Sequence, residues 1–172
     1  MSALVQIQEA VERRVEEIAA SNPVWPCRKG CDDCCRSLAS PPQVSRAEWD
    51  LIAAAVSSLP VEVAEEIRRR IRAGASASRP VVCPLLDLDS GSCLVYEARP
   101  IACRAYGLYA ERDLVLGCGR IEAIARESAP VVWGNHVELE QRVRSLGDAA
   151  SLAEWAEVLT DPPQCVIIHS SE

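Results

Sequence analysis

Phenylalanine is absent from this 172-residue chain, and aromatic residues make up only 4% of it. Single-stranded nucleic acid is gripped by aromatic faces along a basic groove, and the sequence has little to build one from. Positive charge is also short. Lys and Arg number 18 against 25 Asp and Glu, for a formal net charge of −7. Binding driven by counterion release needs a basic surface, so no nucleic-acid partner is expected. No apolar run approaches the ~20 residues that cross a bilayer, so no membrane partner is expected either. Met1–Ser21 carries Glu9, Glu12, Arg13, Arg14, Glu16 and Glu17 where a secretion signal has an apolar core. That predicts a cytoplasmic protein with reduced thiols. His136 and His169 are the only histidines and stand alone, which suits core or surface roles better than ligation.

Hydrophobic residues reach 49%, enough to bury a core, and the length suits one domain spanning residues 1–172. Leu4, Ile7, Val11, Val15 and Ile18 recur at helical spacing and predict a first helix that ends near Pro23. Ser45 and Glu48 carry a capping-box signature ahead of Trp49, Ile52, Ala53, Val56 and Leu59. A third helix is predicted over 61–73, with Val63, Ile67 and Ile71 inward and Arg68-Arg69-Arg70 as a solvated face balanced by Glu62, Glu65 and Glu66. Residues 81–86 and 93–96 flank Asp89-Ser90-Gly91-Ser92 and read as two arms of a short β-hairpin. A helical turn after Arg99-Pro100 is expected to place Cys103 and Arg104, and Gly117 and Gly119 to let the backbone approach a bound object. Val132, His136, Leu139, Val143 and Leu146 share one helix face, and Ser151 with Glu154 caps a last helix, giving a helical C-terminal region over 131–160. The fold class is therefore mainly α, a single domain of amphipathic helices with a small irregular or β-hairpin cysteine-rich insert.

Nine cysteines are the compositional outlier. An odd number in a reducing compartment fits a disulfide framework poorly and points to metal or redox chemistry. Cys27-x3-Cys31-x2-Cys34-Cys35 puts four thiols within nine residues, and Cys83, Cys93, Cys103 and Cys118 supply four more. Short gaps let one loop wrap an ion or cluster with successive sulfurs turned inward. Adjacent Cys34 and Cys35 are expected to face different ways, so that one serves a second centre or stays a free thiol. Cys165, alone in an apolar run, reads as structural. The residues beside the cysteines are basic: Arg28, Lys29, Arg36, Arg99, Arg104 and Arg120. Such cations offset an anionic thiolate centre, and they would also depress thiol pKa values, which suits a redox-thiol reading.

The string from Cys27 to Arg36, followed by Cys83-Pro84-Leu85, Gly91-x-Cys93-x-x-Tyr96-x-x-Arg99-Pro100-x-x-Cys103-Arg104 and Cys118, resembles the YkgJ-type cysteine-cluster family of zinc- or iron-chelating CxxCxxCC domains. The resemblance spans 27–118, with a first gap of three residues where the family label has two. It implies metal binding by Cys27, Cys31, Cys34, Cys35, Cys83, Cys93, Cys103 and Cys118. The same kind of cluster is similar to one in the much longer flagellin lysine N-methylases, though no Gly-rich methyl-donor turn is visible here.

Gaps of nine, nine and fourteen residues in the second cysteine group weaken a zinc ribbon, which pairs two short knuckles. Three close thiols plus a remote one suit a [4Fe-4S] cluster, while eight thiols equally make two Zn2+ sites. A radical-SAM enzyme shares the Cys-x3-Cys-x2-Cys spacing but needs a longer chain of repeated βα units. Cys27, Cys31 and Cys34 are expected as the proximal ligands, completed from the second group, with Arg99 and Arg104 supporting the anionic centre. The functional expectation is a metal-binding protein, serving electron transfer, storage or structural stabilisation. The alternatives are a metal-dependent enzyme or a zinc-stabilised module for an unidentified protein partner.

Overall fold

The computed structural model describes residues 2–74, 79–111, 114–115, 117–127 and 134–160. The expectations for Val132, Cys165 and His169 lie outside these residues. The chain is mainly helical, as its periodicity predicts. Helix α1 (Ala3–Ser21) starts at Ser2, whose hydroxyl accepts the Val5 N–H, and buries Leu4, Ile7, Val11 and Ile18. A single turn, α2 (Asp33–Arg36), carries Cys34 and Cys35. Helix α3 (Arg46–Ser57) begins with the full capping box at Ser45 and Glu48. Helix α4 (Val61–Gly74) buries Ala64, Ile67 and Ile71. After it come the short α5 (Ile101–Ala105) and the helices α6 (Gly119–Glu127), α7 (His136–Arg144) and α8 (Leu152–Thr160).

Strands are short, and the periodicity gave no hint of most of them. β1 (Gln43–Ser45) pairs antiparallel with β5 (Ala149–Ser151), joining segments a hundred residues apart so that each strand launches a capped helix. β2 (Tyr109–Glu111) pairs antiparallel with β3 (Leu114–Val115) and parallel with β4 (Gly134–Asn135). The anticipated hairpin narrows to one antiparallel bridge, Leu86 to Cys93, flanked by hydrogen bonds from Asp87 to Ser92 and from Leu94 to Leu85. Gly91 closes its turn with φ +67°.

Arg68-Arg69-Arg70 is not uniformly a solvated face. Arg69 pairs with Glu66, but Arg70 turns inward and donates to the carbonyls of Leu86 (2.8 Å) and Cys83 (3.0 Å). An irregular arm has carbonyls without ladder partners, and a guanidinium fork satisfies two of them at once.

The apolar residues form two clusters. The first gathers Trp49, Ile52 and Val56 of α3, Ile67 and Ile71 of α4, Leu85 and Leu86 of the arm, and Leu152 of α8. The second gathers Leu4, Ile7, Val11 and Ile18 of α1 with Trp25, Ile101, Leu108, Ile121 and Leu139. Glu48 links them. Its carboxylate is 3% exposed and accepts the Ser45 N–H and hydroxyl, both at 2.8 Å, and the Ile101 N–H, also at 2.8 Å. The residue that caps α3 thereby also fixes the start of α5.

Candidate metal centre

Pro26 leads into Cys27, and the next three residues form a tight turn. The Cys31 N–H donates to the Arg28 carbonyl at 3.0 Å, and Gly30 sits at φ +90°. A glycine at the third position of a β-turn suits this left-handed conformation. The three-residue gap is therefore a reversal that brings Cys31 back beside Cys27. Cys34 and Cys35 follow on α2. Their sulfurs lie 4.0 Å apart, so the adjacent side chains do not diverge as the sequence suggested.

The remote thiols arrive from four segments of the chain. The Cys83 N–H donates to the Cys35 carbonyl at 2.7 Å, and Leu38 and Val81 form an antiparallel bridge beside it. Cys93 comes from the second arm, Cys103 from α5, and Cys118 from the residue just before α6. A cavity of about 400 Å³ results, lined by Cys27, Cys31, Cys34, Cys35, Cys93, Cys103 and Cys118. Cys83 is 6% exposed and lies in the first apolar cluster, against which Cys35 and Cys93 pack. Among the described residues no three Cys, His, Asp or Glu side chains already converge closely enough to hold an ion.

Gly107 is a site residue that sequence reading missed. It has φ +79°, and a Cβ there would stand 2.8 Å from the Cys27 sulfur. Gly117 and Gly119 were expected to play that part. Gly117 instead lies against Ile121, where a Cβ would come within 2.8 Å, and Gly119 has nothing within 4 Å. The signal in sequence was only a glycine four residues after Cys103, with nothing to say which sulfur it faced.

The basic residues divide by role. Arg99 stacks on the Tyr96 ring at 3.5 Å, and its charge reaches Cys93 and Cys103. Arg120 pairs with Asp33 at 2.9 Å and its charge reaches Cys27. Arg36 pairs with Asp32 and donates to the Leu88 carbonyl. Arg104 lines the cavity, but its N–H groups go to Glu12 of α1 and to the carbonyls of Arg99 and Glu97. It ties α1 to the Tyr96–Arg99 segment.

These cations do not depress the thiols, contrary to expectation. Burial, then repulsion from Cys31, Cys118 and Cys34, pushes Cys27 up to about 12 despite Arg120. Burial and neighbouring thiols push Cys103 up to about 12 as well. The hydrogen bond with Cys35 and burial raise Cys34. At Cys35 the Cys34 contact lowers the value, but the Cys83 contact, burial and repulsion together carry it up to about 12. Desolvation and like-charge crowding both penalise a thiolate, and here they exceed the attraction of half-exposed guanidinium groups. A low-pKa redox nucleophile is thus the wrong description of these four thiols. Crowded thiols that resist ionising one at a time suit a cation that replaces several protons together.

The model of the CxxCxxCC family, described as a "putative zinc- or iron-chelating domain", matches residues 26–123, more than half of the chain. The chain belongs to this family. No curated protein and no solved structure matches it. The CxxCxxCC segment holds all eight clustered cysteines together with Arg99, Arg104 and Gly107. Helix α1 lies outside it, yet Glu12 and Val15 of that helix line the same cavity. No described helix is long and apolar enough to cross a membrane.

Proposed function

We propose that the cavity holds an iron–sulfur cluster, with Cys27, Cys31 and Cys34 as proximal ligands and Cys118 as the fourth, and that the protein serves electron transfer. The observation that carries this reading is seven thiols around one space of about 400 Å³. A lone zinc ion is enclosed by its four sulfurs and needs no such room, whereas a cluster brings its own iron and sulfide. Cys27 sits close enough to Cys31, Cys118 and Cys34 to feel the charge of each, which supports this set of four. When bound, such a cluster supplies a one-electron couple. Arg28 and Gly30 on the cavity rim are exposed, which leaves an approach for a redox partner.

The protein's own residues have three tasks here. Cys27, Cys31, Cys34 and Cys118 would hold the cluster as thiolates, Arg120 beside Cys27 and Arg99 in the cavity wall would offset the negative charge, and Arg104 with Glu12 braces the wall. A cluster bound by these four thiols would tie the turn at 27–31, α2 and the residue before α6 to one another, so metal uptake would add to folding stability.

Anaerobic isolation followed by iron, sulfide and zinc analysis tests this directly. Brown protein with equal iron and sulfide is expected, and Cys31→Ser should bleach it. Colourless protein holding zinc alone would remove the cluster and leave chelation. Chelation itself fails if Cys31→Ser keeps full metal content and an unchanged melting temperature.

A further inference from the structure

Helix α5 stands between two cavities. Cys103 and Arg104 line the one that gathers the thiols, whereas Ile101, Ala102 and Ala105 line another of about 420 Å³. None of the eight clustered cysteines borders this second space. Leu139 and Val143 of α7 form its apolar far wall, and Ala149 of β5 stands exposed at its mouth. Glu48 is part of the lining and is 3% exposed. Its three hydrogen-bond donors, the Ser45 N–H, the Ser45 hydroxyl and the Ile101 N–H, are all neutral. Among the described residues no Lys or Arg forms an ion pair with it. Capping α3 therefore accounts for the hydrogen bonds of this carboxylate and leaves its charge without a counterion, which is costly at such depth. The other acid in the lining, Glu140, pairs with Arg144 at 3.0 Å. Counting His136 as neutral, the lining carries one uncompensated negative charge.

Two of the three tyrosines of the chain, Tyr106 and Tyr109, border the same space. Tyrosine faces attract cations through the ring quadrupole, most strongly where water is excluded. The Tyr109 ring is 7% exposed and is held against Gly134, where a Cβ would come within 2.5 Å of it. We infer that this cavity is a binding site for a small organic ammonium ion, an amine carried on one ring or a short alkyl chain. The ammonium group faces Glu48 and the tyrosines, and the apolar body packs against Ile101, Ala105, Leu139 and Val143. A carboxylate ligand of the same shape would meet the charge of Glu48 with its own. A bare metal ion would find a single carboxylate and hydrocarbon walls, far from the full set of oxygen donors it needs. The site stands whichever metal the thiols hold.

The test is calorimetric titration of the full chain, with its metal as isolated, using three ligands of one shape: phenylethylamine, phenylethanol and phenylpropionate. The amine should bind saturably and at least about tenfold tighter than phenylpropionate, the scale of one desolvated cation–ring contact. Ala149→Trp fills the mouth and keeps every charge, so it should weaken the amine at least about tenfold. This separates the cavity from general attraction of an amine to an acidic surface. Glu48→Gln should erase the preference for the amine over phenylethanol, while Glu154→Gln, which removes an exposed acid, should bind as wild type does. The site is overturned if the amine does not bind, if phenylpropionate binds as tightly, or if Ala149→Trp binds the amine unchanged. It is overturned equally if Glu154→Gln loses as much as Glu48→Gln. Should Glu48→Gln not fold, the three-ligand comparison in wild type and Ala149→Trp decides alone.

Discussion

Removing the Glu48 carboxylate should be among the most destabilising changes available outside the cysteines. The group is 3% exposed and accepts from the Ser45 N–H, the Ser45 hydroxyl and the Ile101 N–H, each at 2.8 Å. Glu48→Ala leaves the two N–H groups without an acceptor. Each stranded buried donor costs about 1–3 kcal/mol, so a total of about 2–6 kcal/mol is expected. Glu48→Gln keeps one oxygen but turns an NH2 toward donors, and a loss of about 1–3 kcal/mol follows from one broken charge-assisted bond. Urea unfolding of the reduced, metal-free chain reads this as a lower midpoint at constant slope. Glu154 offers an internal control. It forms the same motif with Ser151, accepting the Ser151 N–H at 2.7 Å, but on an exposed surface with no second helix attached. Glu154→Ala should therefore cost far less. The reasoning fails if Glu48→Ala loses under about 1 kcal/mol, below even an ordinary cap deletion, or no more than Glu154→Ala. A further readout separates the link from the cap. Ser45→Ala should weaken α3 while leaving metal content intact, whereas Glu48→Ala should lower it, because Ile101 lies two positions before Cys103.

Gly107→Ala should lose about 1–2 kcal/mol from its left-handed backbone alone, and metal content should fall because the new methyl meets the Cys27 sulfur. Gly30→Ala shares the backbone strain at φ +90° without a clash, so a metal loss equal to that of Gly107→Ala would refute the contact. Arg70→Met should cost about 1–2 kcal/mol by freeing two carbonyls, and should expose the 83–93 arm to proteolysis, while Arg69→Met should leave cleavage unchanged. The reduced, metal-free protein should be most stable below the ordinary thiol range of about 8.5. Cys27 and Cys103 keep their protons up to about 12 when folded, so the unfolded chain sheds protons first and stability falls as pH rises across that window. Metal uptake has the opposite sign, strengthening with pH as protons leave the thiols, and titrations at pH 6, 7 and 8 would show no trend if the thiols were already ionised.

Much of the helical frame was legible because each signal was local. The stripe from Leu4 to Ile18 names the buried face of α1, and Ser45-x-x-Glu48 and Ser151-x-x-Glu154 both cap helices as read. The cysteine spacing carried the family and the cavity for the same reason. What stayed hidden was long-range. Glu48 reaches a partner 53 positions away, Arg70 bonds carbonyls 13 and 16 positions on, and β1 finds β5 across the chain. None of these leaves a periodic trace. The thiol pKa directions were misjudged because sequence shows which cations are adjacent but not how deeply the sulfurs sit or how they crowd one another.

Arg104 and Glu12 carry a practical lesson about where this module stops. The pair joins the matched stretch to a helix upstream of it, and Ile101, Leu108 and Ile121 rest on that helix's apolar side. A polypeptide trimmed to 26–123 would therefore present a greasy, half-open flank to solvent and should clump rather than behave as a tidy autonomous unit. The boundaries that define kinship and the boundaries that define a stable fold are, in this molecule, drawn in different places.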